Sequence, residues 1–135
     1  MASSFRIMII DDEPIVVKRL KRLLEKDGYE VEDFTRGSVA LKELDQRHFD
    51  IIITDLKMGT VSGMNILETA VEKHPAAKVI IISGITKIEI AEEAFNKGAF
   101  GFIIKPFKIE ELKKIIKEAV IVLKTDSCKP GDDRL

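Results

Sequence analysis

Charged and hydroxyl residues stand where short apolar runs of this chain end. Asp11-Asp12-Glu13 follows Phe5–Ile10, and Asp55 follows the run of isoleucines Ile51–Ile53 and Thr54. Ser83 follows Lys78–Ile82, and Lys105 follows Ala99–Ile104. Three aspartates, a hydroxyl and a lysine make one site if the fold brings these run ends together. Clustered carboxylates repel one another, and burying their charge is costly unless a cation neutralises it. An all-oxygen donor set suits a hard ion such as Mg2+, which keeps several of its waters and often bridges to a phosphate. A lysine opposite neutralises phosphoryl oxygens as a point charge, and a hydroxyl donates a hydrogen bond to them. In such a site Asp55 is a candidate nucleophile, because carboxylates form aspartyl-phosphate intermediates.

The elements that must position these residues follow from periodicity. Phe5–Ile10, Asp50–Thr54, Lys78–Ile82 and Ala99–Ile104 read as buried strands, and the alternating Tyr29–Phe34 as a strand near a sheet edge. A first helix begins at Pro14, carries Val16, Leu20, Leu23 and Leu24 at helical spacing, and ends before Gly28. Val39, Leu41 and Leu44 mark a second helix, stopping near His48. A third covers Gly63 to His74 with Ile66, Leu67, Ala70 and Val71 inward, closed by Pro75. A fourth runs over Lys87–Lys97, its inward side expected at Ile88, Ala91 and Phe95 with Ile90 exposed. The fifth runs over Phe107–Leu123, with Leu112, Ile115, Ala119 and Leu123 in register. Residues 125–135 read as a frayed, flexible C-terminal tail. Alternating strands and helices predict an α/β fold: a doubly wound, five-stranded parallel sheet with helices on both faces. Sites in such folds gather outside the carboxyl ends of the strands, at the topological switch point.

On four stretches in order the sequence resembles the receiver domain of two-component response regulators, over roughly residues 5–124. They are Asp11-Asp12-Glu13-Pro14, Ile51-Ile52-Ile53-Thr54-Asp55 with Leu56-Lys57-Met58, Ile80-Ile81-Ile82-Ser83-Gly84, and Lys105-Pro106-Phe107. The resemblance implies a flavodoxin-like receiver fold and a phosphoacceptor at Asp55, fed by a histidine kinase or a histidine phosphotransfer protein. It further implies Mg2+ held by Asp12, Asp55 and the backbone carbonyl of Lys57, with Asp11 reaching the ion through water. Ser83 and Lys105 would each contact a phosphoryl oxygen, and Lys105-Pro106 would be a cis peptide. Phe102 occupies the family's aromatic switch position. The implied output is a downstream protein or output domain, or a phosphorylation-dependent dimer, reached through the fourth helix, fifth strand and fifth helix. The implied chemistry is self-catalysed phosphotransfer and dephosphorylation in a signalling domain, not enzymatic turnover. Two positions depart from the family's habit: Gly59 where proline often follows the methionine, expected to loosen the loop, and Phe102 where tyrosine is frequent.

Composition narrows the field. With 22 Lys plus Arg against 23 Asp plus Glu, the net charge of -1 argues against a generic nucleic-acid or anionic-membrane binder. The longest apolar runs fall far short of a bilayer span, the opening Met-Ala-Ser-Ser lacks the features of a signal peptide, and one cysteine, Cys128, forms no internal disulfide. These features lead to the expectation of a cytoplasmic protein. His48 and His74 fall at helix ends without metal-ligand spacing and receive no function here. A haloacid-dehalogenase-like phosphatase also uses an aspartate after a buried strand, but carries a second aspartate where this chain has Lys57. A receiver-like scaffold acting without phosphorylation would lack a pocket residue, and none is missing.

Overall fold

The computed structural model describes residues 5–128. Strands and helices alternate as β1 (Arg6–Ile10), α1 (Pro14–Glu25), β2 (Glu30–Phe34), α2 (Gly37–Gln46), β3 (Ile51–Asp55), α3 (Gly63–Lys73), β4 (Lys78–Ser83), α4 (Ile88–Asn96), β5 (Gly101–Ile104) and α5 (Ile109–Cys128). The strands form one sheet in the order β2-β1-β3-β4-β5, with every pairing parallel. Chain order reverses between β1 and β3, which places the switch point beside the carboxyl ends of those two strands.

Alternation along the strands builds two cores. Ile7, Ile9, Ile51, Ile53, Ile80, Ile82 and Ile103 pack with Val17, Leu20 and Leu24 of α1 and with Leu112, Ile116, Ala119 and Leu123 of α5. Met8, Ile10, Ile52, Val79 and Ile81 pack on the other face with Ala40 and Leu44 of α2, Ile66, Leu67 and Ala70 of α3, and Ala94 of α4. Central strands covered on both faces have no polar side to show, hence the continuous isoleucine runs. The mixed sequence of β2 fits its place at the sheet edge.

Several helix faces differ from the sequence expectation. Ile88 and Phe95 of α4 are 69% and 49% exposed, whereas Ala94 is buried and Ile90 packs against the second core. The expected inward face is therefore turned: Ile90 and Ala94 point in, and Ile88 and Phe95 point out. The apolar side chains of α4 form one arc of about 160° at ~100° per residue, with Ile88 and Phe95 at one edge and Ile90 and Ala94 at the other, so periodicity alone does not say which edge meets the sheet. Val71 and Val39 are likewise exposed, and the helix-facing work at those turns is done by Ala70 and Ala40. Ile116 takes the buried place assigned to Ile115, which packs at the edge of the same core.

The flexible tail expected from residue 125 is also corrected in part, because α5 continues to Cys128. No glycine or proline interrupts 125–128, and the Thr125 hydroxyl donates to the carbonyl of Ile121 at 2.9 Å, a local bond compatible with helix. Residues 129–135 of that tail lie outside the described residues. The turned α4 yields an expected outcome. Ile88→Ala changes unfolding free energy by no more than about 0.5 kcal/mol, as surface substitutions do. Ile90→Ala costs roughly 1–3 kcal/mol for a partly buried isoleucine, and urea denaturation of both variants distinguishes the two.

Candidate functional site

Strand register brings the acids together. Ile10 pairs with Thr54 across β1 and β3, so Asp11 and Asp55 are the next residues on adjacent strands. A carboxylate oxygen from each of Asp11, Asp12 and Asp55 lies within 4.8 Å of the other two. Asp11 and Asp55 are buried and Asp12 is exposed, so the cluster opens to solvent on one side. The Lys105 ammonium reaches in from the end of β5, 3.2 Å from Asp55 Oδ1 and 3.5 Å from Asp11 Oδ2. The backbone N–H of Glu13 donates to Asp11 Oδ1 at 3.0 Å and fixes that carboxylate at the entry to α1.

Backbone contacts hold the remaining residues. The Lys105 N–H donates to the Ser83 carbonyl at 2.8 Å, tying the ends of β4 and β5, and Lys105-Pro106 is cis. Ser83 is buried, and its Oγ accepts the Ile85 N–H at 2.9 Å, which leaves the hydroxyl proton free to donate elsewhere. The Leu56 N–H donates to the Ile82 carbonyl at 2.9 Å, and the Thr54 hydroxyl donates to the Asp55 carbonyl at 2.9 Å, so the backbone around the acid is held from two sides. The structure thus joins Asp11, Asp12, Asp55 and Lys105 by side chain, and places Ser83 beside them by backbone. Lys57 is exposed two residues beyond Asp55, and Phe102 is half-buried on β5 against the second core.

Gly63 is a site residue that the sequence reading missed. A Cβ there would sit 2.5 Å from the Asp55 carbonyl oxygen and 2.9 Å from the Leu56 Cα. Only glycine lets the first turn of α3 lie against the acid-bearing strand end, where its N–H donates to the Leu56 carbonyl at 2.8 Å. A capping box fixes that turn: Ser62 Oγ accepts the Asn65 N–H at 3.3 Å and Asn65 Oδ1 accepts the Ser62 N–H at 3.0 Å. Ser62 was the available sequence signal, marking a helix start without revealing what the helix start touches.

Gly59 has a more definite role than loop loosening. Its φ is +70°, a left-handed conformation that proline, locked near about −65°, does not adopt. The glycine is what this turn requires, and the expected loss of rigidity relative to proline does not describe it.

Charge dominates the pocket. Burial, and then the neighbouring Asp11 carboxylate, push the Asp55 carboxyl up from its ordinary value, while Lys105 pulls it down. Burial works against the Lys105 ammonium, but Asp11 and Asp55 outweigh it and hold its pKa above the ordinary lysine value. Three carboxylates face one ammonium, and this excess of hard, anionic oxygen fits a divalent cation. At the switch point of this doubly wound α/β domain, three carboxylates that could hold a metal ion thus stand beside one ammonium.

Comparison with known proteins makes the assignment specific. A family model described as the response regulator receiver domain matches residues 7–117. The chain is 33% identical over 120 residues to the nitrogen assimilation regulatory protein NtrX of Azorhizobium caulinodans, covering 87% of this chain and 26% of that protein. It superposes on a response regulator receiver domain protein from Clostridium thermocellum with a TM-score of 0.84 at 33% identity, covering 90% of this chain and 98% of that one. For a CheY-like receiver domain protein from Methanospirillum hungatei JF-1 the TM-score is 0.87 at 30% identity, with 92% and 99% covered. The chain spans about a quarter of the length of the curated relatives it matches. This chain belongs to the response regulator receiver domain family, the signalling domains of two-component systems.

Two measurements test the pocket. Because burial and Asp11 raise the Asp55 pKa in the folded state, the protonated acid is the form that folding favours. Its stabilising contribution is present below the unfolded-state pKa and is lost as pH rises through the folded-state value. In metal-free buffer at neutral pH, Asp55→Asn therefore raises the melting temperature by about 3 °C, the scale of a ~1 kcal/mol change, and the gain shrinks as pH falls toward 4. In the adjoining turn, Gly59→Pro lowers the unfolding free energy by more than about 1 kcal/mol, because the imposed φ is incompatible with the native one, as denaturant titration will show.

Proposed function

We propose that Asp55 is the phosphoacceptor of this receiver domain, in a Mg2+-dependent reaction with a histidine kinase or histidine phosphotransfer protein. The observation that carries the reading is the convergence of Asp11, Asp12, Asp55 and Lys105 at the carboxyl ends of β1, β3 and β5. An Asp55 carboxylate oxygen attacks the phosphorus of a phosphohistidine, the phosphorus–nitrogen bond breaks, and the departing imidazole takes up a proton. Lys105 lies close enough to transfer its ammonium from the carboxylates to an incoming phosphoryl oxygen, and Ser83 donates its free hydroxyl proton to another. Asp12 and Asp55, with the Lys57 carbonyl, would hold Mg2+ directly and Asp11 through water, and the ion would neutralise charge gathering on the phosphoryl oxygens. Transfer of this kind depends on positioning and electrostatics, so these few groups suffice for self-catalysed phosphorylation and for the domain's own dephosphorylation.

The signal leaves through the face of α4, β5 and α5. Ile88 and Phe95 of α4 and Ile104 of β5 are exposed there, beside the half-buried Phe102. These side chains replace Ile90 as the expected contacts for a downstream protein, an output domain or a second copy. The receiver domain is assigned residues 5–124, α5 extending beyond it. No described helix is long and apolar enough to cross a membrane, and the cytoplasm is the proposed setting, with neither nucleic acid nor membrane as a direct partner.

Incubation with Mg2+ and a small phosphodonor adds one acid-labile phosphoryl group by intact mass. Asp55→Asn abolishes the addition, and Asp12→Ala slows it by about 10–100-fold, as lost metal-site partners do, with partial rescue at high Mg2+. An unchanged mass with two donors and a cognate kinase would leave a scaffold that works without phosphorylation.

A further inference from the structure

Two histidines unused by the phosphoryl site meet at the opposite, amino-terminal end of the sheet. His48 lies between α2 and β3, and His74 caps the carboxyl end of α3 ahead of β4. Their ring centroids are 5.7 Å apart, with the ring planes at 69°. His74 Nε2 is 2.6 Å from the Leu44 carbonyl oxygen. A carbonyl only accepts, so the proton is on Nε2 and Nδ1 keeps its lone pair. His48 Nε2 is 3.1 Å from Asp50 Oδ1, while Asp50 Oδ2 accepts the Arg6 N–H at 2.8 Å. With the Asp50 Oδ1 oxygen accepting, the proton is again on Nε2 and Nδ1 is free. Each ring therefore has an outer partner of the kind that orients metal-binding histidines, one a backbone carbonyl and the other a carboxylate.

We propose that His48 and His74 form a two-imidazole site for Zn2+ or a neighbouring first-row dication, completed by solvent. Two Nδ1 atoms, each about 2.0–2.1 Å from one shared Zn2+, put the ring centroids roughly 5–6 Å apart, and the observed spacing falls in that range. Imidazole nitrogen favours Zn2+, Cu2+ and Ni2+, whereas carboxylate oxygen suits Mg2+, so the two ends of the sheet select different ions. The neighbouring cations are already paired: Arg47 with Glu32 and Glu43, and Lys73 with Asp45. His48 is exposed enough to admit the ion directly.

The test is titration of the untagged full chain with ZnCl2 in saturating Mg2+, read by histidine imidazole resonances and by calorimetry. The expected result is one ion per chain, with both rings shifting together. His48→Ala, which removes an exposed side chain and spares the fold, weakens binding at least about tenfold, and Asp50→Asn weakens it by about 10–100-fold. Asp55→Asn and Asp12→Ala leave the affinity unchanged, which separates this site from the phosphoacceptor reading. A response at one ring only, binding lost in Cys128→Ser, Asp55→Asn or Asp12→Ala, or no saturable binding overturns the proposal.

Discussion

Repulsion among Asp11, Asp12 and Asp55 is the constraint around which this domain is arranged. Left to themselves, three carboxylates this close would separate, and the sheet prevents it. Asp11 and Asp55 extend adjacent parallel strands whose register is held by Ile10 against Thr54, and the strands beneath them are buried on both faces. Sliding either strand by one residue would exchange the two faces of the isoleucine-rich core, so the register is hard to relax. Two tightly packed cores thus hold the acids close enough to act together, and Lys105 offsets only part of the charge.

The same constraint accounts for the local devices around Asp55. Free movement of its backbone would let the acid swing away from Asp11. The Leu56 N–H on Ile82, the Thr54 hydroxyl on the Asp55 carbonyl and the close seat of Gly63 oppose that movement. Asp12 has the looser surroundings, being exposed at the approach to α1, so the pocket has two fixed acids and one that faces solvent. Such a division suits reversible binding, since a cation can enter past the exposed acid without opening the sheet.

The strands and the site they carry were legible in the sequence for a physical reason. Doubly covered parallel strands need unbroken apolar runs, and whatever follows each run lies on one edge, so Asp11, Asp12, Asp55, Ser83 and Lys105 could be placed together before any coordinates. Helix faces were less legible. In α4, Ile88 and Phe95 lie at one edge of a single apolar arc and Ile90 and Ala94 at the other, with Ala91 between, and only contact with the second core selects Ile90 and Ala94. Gly63 escaped notice because its requirement is a missing Cβ, visible only when another backbone lies 2.5 Å from where that atom would be. The pairing of His48 with His74 escaped for a related reason. Their sequence separation carries no ligand spacing, and the rings meet only because α2 and α3 pack side by side.

Lys105 links the charge imbalance to the outer surface. Its ammonium sits on the carboxylates, and its backbone N–H is tied to the Ser83 carbonyl, so the lysine and the end of β4 move as a unit or not at all. Adding a phosphoryl group at Asp55 would change what that ammonium and the Ser83 hydroxyl face, from carboxylates alone to a denser set of anionic oxygens. The mechanical consequence falls on β5, a strand of four residues between Gly101 and Ile104. It is held on one side by β4 and so close to α5 that a Cβ at Gly101 would lie 2.9 Å from Ile115 Cγ2. On its other side the half-buried Phe102 meets the core beneath α4, the helix with only Ala94 fully buried. Were Lys105 drawn toward those oxygens, an edge strand pinned against α5 would yield toward its less firmly packed side. The exposed Ile88 and Phe95 therefore lie on the element that can yield at least cost.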